Sequence, residues 1–201
     1  EFPQYKKMTA YASLSFIISL HACNMKMVRR KKGQIWVETV VYTLIGLAII
    51  GLLLSIVKPA IDEKKDQILI ESSLEMLEQI ENEIEDVKYR GVGNSRIVSL
   101  KIEKGNLEIN PVDDFLKFSM ESRYKYSQPG QEVEMGKIKI LTTEKTEKNY
   151  LIDLTLDYRG WADLTYNNQE TGKSFQPAKT PYSLTITNLG KTEEFVQIDF
   201  S

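Results

Sequence analysis

KKGQIWVETVVYTLIGLAIIGLLLSIV, Lys31 to Val57, decides how this chain is read. Thr39–Val57 holds nineteen residues without a charge. At ~1.5 Å per residue a helix of that length covers about 28 Å, close to the hydrocarbon thickness of a bilayer. The rival reading is a buried core helix, but that would carry a polar stripe, and none is visible. A membrane span is therefore expected. Glu38 stands just before the uncharged run. A carboxylate inside a spanning helix costs about 2.5–3.5 kcal/mol near the centre and less near an end. Such a residue either has a task or reaches the headgroups. The small-residue pairs Thr39/Thr43 and Gly51/Ser55 are spaced to let neighbouring helices approach.

Toward the N-terminus, Met25–Lys32 carries five basic residues (Lys26, Arg29, Arg30, Lys31, Lys32) and no acid. Ahead of an apolar run, this bias keeps that side cytoplasmic. Residues 1–33 are expected to be a leader, with translation starting at Met25 or Met27. The sole Cys (Cys23) and the sole His (His21) both precede the run. From Gln34 onward a disulfide framework, a Cys/His zinc site and His-assisted nucleophilic catalysis are thus excluded. The pairs Asp113-Asp114 and Asp62/Asp66 lack calcium-loop spacing, and no glycine-rich phosphate loop occurs. An enzyme is not expected, nor a cofactor or a metal. The net charge of −2 over 201 residues gives no direct sign of nucleic-acid binding.

Toward the C-terminus, Pro59 is expected to kink the helix rather than end it. Beyond it Ile61, Ile68, Ile70, Leu74, Leu77, Ile80, Ile84 and Val87 recur mostly at three- and four-residue spacing. Glu71, Glu75, Glu78, Glu81 and Glu85 fill much of the remaining circumference and read as a solvated face. Gly91-Val92-Gly93-Asn94 breaks the helix. Strands are expected at 96–103, 106–110, 115–120, 136–143, 150–158, 161–166, 181–187 and 195–200, with a hairpin at Lys104-Gly105. Ile152, Leu154, Leu156 and Tyr158 alternate with polar residues, as do Tyr182, Leu184 and Ile186. That alternation fits antiparallel sheet with one wet face. The polar stretch 167–180 reads as a long loop. The expected fold class is α+β. A long N-terminal membrane/assembly helix (about 34–88, kinked near Pro59) leads into an antiparallel β-sheet or β-sandwich. The organisation is a leader 1–33, a transmembrane/assembly helix 34–57, an amphipathic stalk 58–90 and an extracellular β domain 91–201.

The junction Arg29-Arg30-Lys31-Lys32-Gly33-Gln34, with Glu38 fifth from Gln34, resembles the class III signal peptide of type IV pilin-like proteins, most of all the archaeal ones. Trp36 departs from the small hydroxyl residue frequent at that place in archaeal pilins. The resemblance covers Arg29 to Val57. It implies cleavage after Gly33 by a prepilin peptidase, with Lys31, Lys32, Gly33 and Gln34 forming the processing site. It also implies that Glu38 pairs with the new terminal amine of a neighbouring subunit during assembly. The implied partners are that peptidase, an assembly ATPase with its membrane platform protein, other pilin subunits, and membrane lipid before assembly. The implied location is the cell membrane as a single-pass protein with the β domain outside, then a surface filament. Two other readings stay open. One is an uncleaved single-pass protein displaying a binding or adhesive β domain. The other is an accessory pseudopilin of a secretion or DNA-uptake system.

Overall fold

The computed structural model describes residues 34–192 and 195–201; Lys31, Lys32 and Gly33 of the processing site, with the rest of the leader, lie outside them. Among the described residues one helix, α1 (Gln34–Arg90), is followed by ten strands. The class is α+β. Among the described residues, those up to Leu52 belong to one unit and Leu53–Ser201 form another. Pro59 lies inside the helix, where it supplies no N–H to the carbonyl four residues back. The helix ends on Gly91, whose φ of 90° is costly for any residue with a Cβ. Around this end the Asn94 amide donates to the carbonyls of Arg90 and Gly91, both at 3.0 Å. Lys88 and Arg90 in the last turn complement the helix dipole.

In the second unit the strands form two open sheets. The first has the order β1 (Ser95–Leu100), β9 (Tyr182–Thr192), β10 (Phe195–Phe200), β7 (Ala162–Tyr166). The second has the order β4 (Glu132–Met135), β5 (Ile138–Thr146), β6 (Asn149–Asp157), β3 (Phe115–Ser122), β2 (Asn106–Asn110), β8 (Lys173–Phe175). The apolar faces of both sheets join one core with the helix residues Ile70, Leu74, Leu77, Ile80, Ile84 and Val87. The alternation in β6 and β9 is as expected: Ile152, Leu154, Leu156, Leu184 and Ile186 are buried.

Four expectations need correction. Lys104-Gly105 does not close a hairpin, because β1 pairs with β9 while β2 pairs with β3 and β8. The segment instead carries the chain from one sheet to the other, with Ile102 buried and its carbonyl accepting from Ala178. Gly105 lies so close to β3 that a Cβ there would meet Ser119 O at 2.7 Å. Second, the sheets are not wholly antiparallel, since β7 and β10 run parallel. Third, the stretch 167–180 is not a plain loop: it contains β8, whose Phe175 is buried. β4 is a further strand beyond those expected. Fourth, Ile61 and Ile68 are not on the core face; they are 60% and 63% exposed. They sit across the helix from Ile70 and Leu77, on a separate strip.

Core and strip therefore differ in energetic weight. Leu77→Ala should cost about 2–5 kcal/mol of stability, whereas Ile68→Ala should stay within about 0.5 kcal/mol. Denaturant unfolding of the detergent-solubilised chain checks the contrast. Equal losses would contradict the assignment of faces.

Candidate assembly surface

The candidate surface is the apolar part of α1. Its side chains from Trp36 to Val57 are mostly exposed, Trp36 and Tyr42 at 76% and 71%. Thr43 turns its hydroxyl inward, donating to the carbonyls of Thr39 (3.0 Å) and Val40 (2.8 Å). A hydroxyl satisfied by its own helix can enter an apolar medium at low cost. At Gly46 and Gly51 an added Cβ would meet nothing within 4 Å. Among the described residues no contact demands glycine there, and the bare backbone leaves room for close approach of another helix. Gln34 is the first residue of the helix. Glu38 is half-buried and lies four residues on, about 6 Å along the axis.

The other half of the helix is fastened to the β domain by polar contacts at three heights. Lowest, buried Asp66 accepts from Lys104 Nζ at 2.6 Å and from the Arg123 backbone N–H at 2.8 Å. Arg123 also donates to Asp62 at 2.7 Å. Next, Glu81, only 7% exposed, accepts from the buried Tyr158 hydroxyl and from Lys137 Nζ at 2.6 Å. Lys137 reaches Glu85 as well, and lies 4.7 Å from the Trp161 ring centroid. At the helix end, buried Asn188 donates to the Val87 carbonyl at 3.0 Å and accepts from Gly190 N–H at 2.9 Å. Lys88 Nζ stands 3.6 Å from the Trp161 centroid. These contacts fix the helix against sliding or turning in its apolar groove.

The protonation equilibria follow the geometry. Burial, then the adjacent Glu81 carboxylate, pushes the Tyr158 hydroxyl well above its ordinary range. Burial pulls Lys137 down, but its hydrogen bonds to Glu81 and Glu85 more than offset this and leave it raised. Burial and the neighbouring Lys137 charge lower Lys88.

No family model, curated protein or solved structure matches the chain. The resemblance to pilin-like proteins therefore rests on Arg29–Val57 alone. Within that stretch only Gln34 onward is described, so Glu38 is placed and the basic–glycine junction is not. Among the described residues no group of three or more His, Cys, Asp or Glu is placed to hold a metal ion.

Sequence reasoning missed Asp66, Glu81 and Asn188. Glu81 is buried and does not lie on the solvated face expected for the glutamates of this helix. The signal was in its phase: it lies four residues after Leu77 and three before Ile84, inside the buried set. Asp66, four residues before Ile70, was legible the same way.

Removing the Glu81 carboxylate strands the Tyr158 hydroxyl in the core. Glu81→Ala should therefore cost about 1–3 kcal/mol in denaturant unfolding; a change near zero would show that the contact contributes nothing net. Because the folded-state pKa of Tyr158 is raised, its stabilising contribution is fully present below the unfolded value of about 10 and is lost as pH rises beyond it. Stability of the wild type should fall above about pH 10, and Tyr158→Phe should fall less steeply.

Proposed function

We propose that this chain is a structural subunit of a type IV pilus-like surface filament. The observation that carries the reading is the uncharged, exposed half of α1 on a helix whose other half is embedded in a β domain. An apolar surface of that extent needs lipid or other protein around it. The helix is long and apolar enough to cross a membrane. In the proposed sequence of events the basic leader stays cytoplasmic, α1 spans the bilayer and the β domain lies outside. A prepilin peptidase cuts after Gly33. Subunits then leave the bilayer and exchange lipid for neighbouring helices, driven by an assembly ATPase and its platform protein.

Glu38 supplies register. After the cut, Gln34 carries a free ammonium about one helical turn from Glu38 in its own chain and within reach of Glu38 on a neighbour. An ion pair out of water returns part of the desolvation cost of both charges, but only when the two helices are correctly aligned. The charge thus favours one alignment over others. The β domain then coats the filament.

Two outcomes are expected. Chain extracted from membranes should begin at Gln34 on N-terminal sequencing; an intact leader would instead support an uncleaved membrane protein displaying its β domain. Glu38→Ala should abolish or strongly reduce filament yield while the membrane pool stays filled. Unchanged yield would refute the pairing role.

A further inference from the structure

Within the second unit, the end of the β domain nearest Val57 differs in charge from the rest. Strand registers set which connections lie there. Leu100 of β1 pairs with Tyr182 at the start of β9, Asn106 of β2 with Ser119 late in β3, and Ser122 with Tyr150 at the start of β6. The connections 101–105, 123–131, 147–148 and 176–181 therefore share one end of the sheets, and the Ala178 N–H donates to the Ile102 carbonyl across two of them. They carry Lys101, Lys104, Arg123, Lys125, Lys148 and Lys179 against Glu103 and Glu147. The connections 91–94, 111–114, 136–137 and 158–161 lie at the opposite end and carry Asp113 and Asp114 against Lys137 and Arg159. The helix shows the same gradient. Lys58, Lys64 and Lys65 stand just past Val57, and no basic residue follows until Lys88. The ties of Lys104 to Asp66 and of Arg123 to Asp62 hold the basic end to this part of α1. Asp62 is five residues past Val57, about 7.5 Å along the axis.

We propose that this basic end of the β domain docks on a surface of anionic lipid headgroups, beside the point where α1 leaves the hydrocarbon. The inference rests on the reading that α1 spans a bilayer with the β domain outside. The headgroup layer adds about 5–7 Å beyond the hydrocarbon on each side. Lys58 then lies within it, and Arg123, held at the height of Asp62, lies at its outer edge. Lys side chains carry their charge several atoms from the backbone and reach toward such a layer. Most carboxylates at this end are engaged: Asp62 and Asp66 as above, and Glu103 with Lys101 at 2.6 Å. Glu63 is exposed and subtracts from the positive charge, whereas Lys58, Lys65, Lys125 and Lys179 are exposed and add to it. Basic groups beside a membrane anchor are drawn to anionic headgroups over about a Debye length. The same surface repels the acidic stretch of α1 from Glu71 to Asp86, so the field favours the basic end against the lipid. A filament offers no headgroups at that place, so the docked state belongs to the membrane pool and assembly releases it.

The test uses the full chain with Cys23→Ser, reconstituted in phosphatidylcholine vesicles with or without about one-third phosphatidylglycerol. A donor dye is attached through Thr180→Cys at the basic end, or through Val112→Cys at the far end; both positions are exposed. Energy transfer to acceptor dyes on the lipid headgroups reports the distance of each end from the surface. With phosphatidylglycerol, transfer from the Thr180 site should rise and transfer from the Val112 site should not. The rise should vanish at about 1 M salt. Lys125→Glu together with Lys179→Glu should lower the ratio of docked to undocked chains at least about fivefold, with denaturant unfolding unchanged. Equal transfer in both lipids, or a rise that survives high salt or the two charge reversals, would overturn the proposal. Release by inorganic phosphate but not by chloride of equal ionic strength would assign the loops to a free anion and overturn it as well. A chain stripped from the vesicles by alkaline carbonate would sink the spanning reading and this inference with it. A chain that stays embedded while the Thr180 site ignores lipid composition would remove this inference alone.

Discussion

The structure depends on one helix meeting two different environments. From Thr39 to Val57 its surface carries no charge and its apolar side chains are exposed; from Asp66 to Val87 one face is fully buried beneath two sheets. A helix that merely anchored a domain would need only the first property, joined to the domain by a linker. Here the uncharged run and the residues that enter the domain core belong to the same helix, α1.

Within the second unit, polar contacts set the register of the helix against the sheets. Apolar packing alone tolerates small slides, because one aliphatic side chain substitutes for another. Asp66, Glu81 and the Val87 carbonyl each have partners in only one arrangement, and Lys104, Arg123, Tyr158, Lys137 and Asn188 come from five separate places in the β domain. A slide of one residue would leave buried charges unpaired at several heights at once, at a cost of order 1–3 kcal/mol for each unsatisfied group. Neither sheet closes on itself. On two sides of the helix, charged side chains bridge to the strands: Arg96 of β1 pairs with Asp86 at 2.6 Å, and Lys137 beside β5 with Glu81.

Much of this was legible in the sequence. The uncharged run, the glycine break after the helix and the alternation in β6 and β9 are local signals, and they placed the class and most strands. What escaped was non-local or lacked a pattern. β4 (Glu-Val-Glu-Met) is exposed along its whole length, and β8 spans three residues, so neither shows a long buried face. Lys104-Gly105 has the composition of a hairpin turn, yet which sheet each flanking strand joins is settled by distant partners. The parallel pairing of β7 with β10 is of the same kind. Ile61 and Ile68 are seven residues apart, but they stand nine and two residues before Ile70, which puts them across the helix from it. Of the candidate site, the exposed apolar surface was readable from composition. The roles proposed for Glu38 and for Lys31, Lys32 and Gly33 rest only on the family resemblance.

The central claim is that the apolar half of α1 exchanges lipid for copies of itself. Electron cryo-microscopy of filaments sheared from cells making this chain tests that most directly. The account predicts a filament whose core is residues 39–57 of successive copies, packed helix to helix, with β domains outside. Finding the chain only in the membrane fraction, or finding filaments in which these residues face solvent, would contradict it.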